Sequence, residues 1–148
     1  MNTYDIADIS TKFNKVIKKL INIMDSSIHN NILFDTIKRK IKIAIDSNPL
    51  LLLEEGGIYI FKYRDYIAND QFDELFLNTE QLIDKTEQEV IDKYTKNNSD
   101  DSNKNIEMLI NILRDLWKGY TNDEKKIIKK NIKTLLSEYC KYISIVKN

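Results

Sequence analysis

Only three glycines and one proline occur in the 148 residues of this chain. Sandwiches and barrels reverse direction often and spend Gly and Pro at each turn, so a chain this poor in both must be built from a few long elements. Apolar residues then decide which elements. From Ile9 onward, Phe13, Val16, Ile17, Leu20, Ile21 and Met24 recur at three- and four-residue steps, the period of one helix face. Lys12, Lys15, Lys18 and Lys19 fall on the opposite face. This predicts a first helix from about Ser10, its N-cap, to Met24.

A second stripe (Ile28, Leu33, Ile37, Ile41, Ala44, Ile45) predicts a helix over 28–46. Pro49 stops it, because proline disfavours helical backbone in the residue before it. Leu50 to Leu53 then form a short turn, and Gly56-Gly57 is expected to break it by taking positive φ. The stretch Ile58-Tyr59-Ile60-Phe61-Lys62-Tyr63 has the β-branched and aromatic content of a strand. It has no second strand to pair with, and a lone strand is unstable. Helix is therefore the reading, with Ile60, Tyr63 and Ile67 on one face.

Asp70 is expected to open a short element holding Phe72, Leu75 and Phe76, and Thr79 or Glu80 another that runs to Tyr94. Residues 96–104 (KNNSDDSNK) read as a flexible loop. Beyond it, Ile106, Leu109, Ile110, Leu113, Leu116 and Trp117 mark a helix closed by Gly119 at C′. Thr121 and Glu124 have the spacing of a capping box, and Ile127, Ile128, Ile132, Leu135, Leu136, Tyr139, Ile143 and Val146 extend the last helix to about 25 residues, or roughly 38 Å. So short a connection predicts that the last two helices form an antiparallel hairpin. The fold class is all-α: one compact domain over 1–148, a bundle of six or seven helices with a long C-terminal helix.

The same residues bound the chemistry. One cysteine, Cys140, excludes an internal disulfide and suits a reducing, intracellular setting rather than a secreted one. The N-terminus lacks the basic and apolar regions of a signal peptide, and the apolar run Leu50 to Leu53 is far too short to span a membrane. His29 is the sole histidine; a Cys140–His29 pair is conceivable, but Cys140 reads as a small core residue of the last helix. One Cys and one His cannot supply zinc's usual ligands, and the carboxylates show no calcium or metalloenzyme spacing. Gly56-Gly57 lacks a phosphate-loop frame. No catalytic residue, metal or cofactor is expected, and the leading reading is a non-enzymatic module that binds a protein partner or a second copy of itself. Tyr59, Tyr63, Tyr66, Phe76 and Tyr142 are its candidate interface residues, since Tyr buries area at low entropic cost.

Charge balances overall but is sorted along the chain. Lys12 to Lys42 carries eight basic and two acidic residues, Asp65 to Glu107 four and twelve, and Lys118 to Lys147 eight and three. Folding the two basic ends together would make a face for nucleic acid or an acidic protein. The candidate contacts are Lys38, Arg39, Lys40 and Lys42 on the second helix and Lys125, Lys126, Lys129, Lys130 and Lys133 on the last. Lysine makes phosphate contacts but lacks arginine's bidentate fork, so base reading is not expected.

Lys, Asn and Ile, all with AT-rich codons, number 20, 16 and 24, against three Arg. Asn48-Pro49, Gly56-Gly57-Ile58-Tyr59, Lys62-Tyr63-Arg64-Asp65-Tyr66-Ile67, Asp73-Glu74-Leu75-Phe76-Leu77 and Leu113-Arg114-Asp115-Leu116-Trp117 together resemble small uncharacterised helical proteins of giant nucleocytoplasmic large DNA viruses. The likeness spans the chain from about Ile32. It implies a helical fold, a viral origin and a place in the host cytoplasm or the virion, and it brings no catalytic residues. A viral Bcl-2-like protein that seats a helix in a groove is a further alternative, although the Asn-Trp-Gly-Arg motif and a hydrophobic tail are missing.

Overall fold

A computed structural model of the chain describes residues 5–28, 31–77 and 102–147, the last residue of the second segment and the first three of the third as backbone only. These residues form seven α-helices, α1 (Ile6–Asp25), α2 (Ile32–Ser47), α3 (Gly57–Lys62), α4 (Arg64–Ala68), α5 (Phe72–Leu77), α6 (Ser102–Trp117) and α7 (Asn122–Val146), with a π-helical turn, Leu52–Gly56, leading into α3. The all-α bundle with a long last helix is thus the fold, and 58–63 is helical apart from Tyr63, which joins α3 to α4. The predicted helix over 79–94, most of the 96–104 loop and His29 lie outside the described residues. Residues 102–104, expected in that loop, already belong to α6.

Local chemistry moved several predicted ends. α1 starts four residues before Ser10, because the Asp5 carboxylate accepts the Ala7 N–H at 2.8 Å and caps the helix there. Ser10 is instead a buried residue of the first turns whose hydroxyl donates to the Ala7 carbonyl. α2 waits for Asn31, whose side chain accepts the Phe34 N–H at 2.8 Å, leaving Ile28 as a half-buried residue of the connection. The capping box of α7 forms as expected: the Thr121 N–H donates to Glu124 Oε1 at 2.9 Å and the Glu124 N–H to Thr121 Oγ1 at 3.1 Å.

Asp70 does not open a helix; it ends one. The Gln71 N–H donates to the Tyr66 carbonyl at 2.7 Å and the Asp70 N–H to the Ile67 carbonyl, and Asp70 takes a φ of 59°. That is the hydrogen-bond pattern in which the residue after a helix turns left-handed, and aspartate tolerates this backbone better than most residues. Where the sequence expected positive φ, at Gly56-Gly57, neither glycine has it, nor does Gly119 after α6. Gly56 (φ −70°) and Gly57 (φ −61°) continue the helix.

The helices pair out of sequence. α1 packs on α7, and α2 on α6, while the π-turn and α3 lie between the pairs and touch both. Leu52 and Leu53 in this wedge are completely buried. The glycines let it fit: a Cβ on Gly56 would come within 2.5 Å of Ile106 Cγ1, and one on Gly57 would overlap the Tyr139 ring. The predicted α6–α7 hairpin does not form, as the two helices hardly touch beyond their turn. Both have apolar faces too wide for one partner. α6 is buried continuously from Met108 to Leu113, and α7 turns its own stripe toward α1, α3 and α4. Lys12 of α1 faces Glu138 of α7, and Ser27 lies beside Tyr120, so α1 and α7 run antiparallel. At the far end of α6, Trp117 is buried against Phe72 and Phe76 and its indole N–H donates to Asp73 Oδ1 at 2.8 Å.

Candidate functional site

The α1–α7 pairing decides where the lysines go. On α7 the apolar positions Ile128, Ile132, Leu135 and Tyr139 point into the core. Lys126, Lys129, Lys130 and Lys133, at steps of three and four, therefore share another face. They line an open groove of about 610 Å³ together with Lys12 of α1, Asp70 at the end of α4, and Thr134, Ser137, Glu138 and Lys141 further along α7. The small side chains of Thr134 and Ser137 leave the hollow between longer neighbours. From Lys126 to Lys141 the lining covers sixteen residues of helix, roughly 22 Å from end to end.

Two carboxylates partly balance the groove. Glu138, only 2% exposed, accepts Lys12 at 3.2 Å and Lys141 at 3.1 Å on the same oxygen. A buried carboxylate is tolerated only when paired, so Glu138 holds both cations at the groove wall. Asp70, exposed, meets Lys133 at 3.1 Å and Lys129 at 3.8 Å. The Lys133 ammonium holds the Asp70 carboxyl below its ordinary range. Among the described residues, six ammonium groups against two carboxylates leave the lining at a net +4. No aromatic or aliphatic side chain among the described residues belongs to it.

Not every candidate nucleic-acid contact lies in this groove. Lys125 sits with its ammonium 5.2 Å from the centre of the Trp117 ring, apart from the lining. The α2 set is dispersed. Lys38 pairs with Asp25 at 2.8 Å and Asp35 at 3.6 Å, and the Asp25 hydrogen bond raises its pKa. Lys42 faces a hollow it shares with Lys18 and Asp46, and Arg39 and Lys40 flank a third on the other side of α2. The two basic ends do meet, but through α1 rather than α2. Lys12, Lys141, Asp70 and Glu138 were not among the sequence candidates. The available signal was a carboxylate, Glu138, set between core positions Leu135 and Tyr139, which requires cations close by.

The aromatic candidates divide as well. Tyr59 (7% exposed) and Phe76 (4%) are core residues and offer no surface for a partner, contrary to expectation. Their apolar contacts explain this: Phe76 lies 4.8 Å from the Trp117 ring, and Tyr59 5.4 Å edge-on to Tyr63. Tyr63, Tyr66 and Tyr142 are half-buried at the margin of the same cluster. Cys140, expected in the core, is exposed, since it falls one position past the stripe at Tyr139. Ile127 and Val146, placed on the stripe of α7, are also about half exposed at its ends.

Burial pushes the phenols of Tyr59, Tyr120, Tyr139 and Tyr142 upward from their ordinary value. A raised folded-state value means that the unfolded chain releases these protons first. Their contribution to stability is full below about pH 10 and is lost as pH rises through the folded values. Loss of helical circular dichroism in alkali is therefore expected to coincide with a cooperative rise in tyrosinate absorbance. A smooth tyrosinate titration with the helices intact would contradict it.

Among the described residues, no group of three or more His, Cys, Asp or Glu side chains is placed to hold a metal ion, and no helix is long and apolar enough to cross a membrane. No family model, no curated protein and no solved structure matches the chain.

Proposed function

We propose that this protein is a non-enzymatic helical module that binds the phosphate backbone of nucleic acid, without reading sequence, through the α1–α7 groove. The observation that carries this is a lining that, among the described residues, sets six lysines against two carboxylates and includes no aromatic or aliphatic side chain. A protein partner would draw on buried aromatic or aliphatic anchors in such a groove, and none of the described residues that line it is one. Phosphates need none. Lysine ammonium groups act as point charges on phosphate oxygens, which positions a backbone but does not distinguish bases. The lack of stacking rings disfavours a preference for single strands over duplex.

Fluorescence anisotropy with mixed-sequence duplex and single-stranded DNA tests the proposal. If about four phosphates are neutralised, the log–log salt slope on duplex is about −3.5, and affinity falls about a hundredfold between about 50 and 200 mM salt. Sequence-scrambled duplexes should bind alike. Absence of binding at the lower salt, or binding indifferent to salt, would overturn the reading.

A further inference from the structure

Two stretches of chain without an acidic residue lie side by side on this molecule. On α1 the stretch runs from Ile9 to Met24 and holds Lys12, Lys15, Lys18 and Lys19; on α7 it runs from Lys125 to Ser137 and holds Lys125, Lys126, Lys129, Lys130 and Lys133. The helices are antiparallel, with Lys12 against Glu138 and Ser27 beside Tyr120. That register puts Lys15 level with Ile132 to Leu135, and Lys19 level with Ile128 to Asn131. Lys12 belongs to the groove lining. Lys19, seven residues on, lies within about 20° of it around the helix, and Lys15, three residues on, shares its face. Both are exposed, and among the described residues neither forms an ion pair. The α7 groove therefore has a second row of cations beside it, Lys12, Lys15 and Lys19, roughly 10 Å long. Like charges gathered on one face repel, and no carboxylate of α1 or α7 offsets this row along the stretch from Ile9 to Met24.

We infer that the two rows grip the two strands of one duplex, the α7 row on one backbone and the α1 row on the backbone across the minor groove. The inference rests on the reading of the α1–α7 face as a phosphate-backbone site, and it narrows the ligand to double-stranded nucleic acid. Packed helices have axes about 8–10 Å apart, and lysines that fan outward from them reach somewhat further. The walls of the B-form minor groove are about 6 Å apart, which sets the phosphate centres flanking it on the order of 12 Å apart. The two spacings agree. A single strand presents its phosphates along one line and answers one row at a time, whereas a duplex answers both. Lys15 and Lys19 thus become phosphate contacts outside the groove lining, and they tell two strands from one.

Anisotropy with a mixed-sequence duplex and with one of its strands, on the full chain and on the Lys15→Gln, Lys19→Gln double variant, tests the inference. Two contacts beyond the four of the groove should steepen the wild-type salt slope on duplex from about −3.5 to about −5.3, at about 0.9 per phosphate. The double variant should return the slope to about −3.5 and weaken duplex binding about tenfold at about 50 mM salt, with single-strand affinity within about twofold of wild type. Both lysines are exposed, so the fold is kept, and circular dichroism checks that. The single strand is the internal control, because it meets the same change in net charge. A wild-type duplex slope that stays near −3.5, or a double variant that weakens both ligands equally, would overturn the inference and leave the groove reading standing. Absence of salt-dependent binding by the wild type would overturn the groove reading, and this inference with it.

Discussion

Reversing two lysines, Lys129→Glu together with Lys133→Glu, is expected to weaken duplex DNA binding about a hundredfold at about 50 mM salt and to flatten the salt slope by about two. Both ammonium groups line the groove, and both are within reach of Asp70, which is exposed and easily exchanged for a phosphate. Each reversal removes one counterion-releasing contact and adds a repulsive charge. The control is Arg39→Glu together with Lys42→Glu on α2, which changes net charge by the same amount at a different place. A loss confined to the α7 pair locates the interface. Equal losses in both would show a diffuse attraction to a basic protein rather than a groove. Exposed ion pairs add little to stability, but Lys129 also lies over the Phe72 ring, so helical circular dichroism of the double variant is the check that the fold is kept.

The second large effect concerns the wedge between the helix pairs. Gly57→Ala is expected to destabilise the protein by about 2 kcal/mol, although alanine is the better helix former by about 1 kcal/mol and Gly57 already has helical φ. The new methyl would occupy the space of the Tyr139 ring, itself buried and in contact with Phe61. Gly119→Ala is the contrasting case: its Cβ would meet nothing closer than the Leu116 carbonyl oxygen at 3.5 Å, so little change is expected. Urea unfolding of both variants measures the difference. Truncating Tyr139 to alanine in the Gly57→Ala background should recover part of the loss, so the double variant should lose less than the sum of the singles. Additive losses would place the cause elsewhere.

Periodicity made each long helix legible from the residues, because burial of one face demands it: the stripes from Ile9 to Met24 and from Ile106 to Trp117 coincide with buried positions in α1 and α6. Capping was legible where side chain and spacing agree, as at Thr121 and Glu124, and misread where an earlier acceptor was available, as with Asp5 in place of Ser10. Gly56 and Gly57 were located but misinterpreted. Their reason is the approach of Ile106 and Tyr139, residues about fifty and eighty positions further along the chain, and no local pattern carries that information. Chain proximity likewise suggested that α6 and α7 would pair, whereas the breadth of their apolar faces sends them to different partners. The lysine stripe of α7 could be read from its spacing. Its completion by Lys12 could not, because that depends on which helix α7 chooses.

An NMR titration of isotopically labelled protein with a short mixed-sequence duplex at low salt locates the nucleic-acid surface residue by residue. Shifts are expected to concentrate at Lys12 of α1 and on α7 from Lys126 to Lys141, with α2 unmoved and with reversal on adding salt. Shifts centred on Lys38 to Lys42, or none at any residue under conditions where the duplex is in excess, would contradict it.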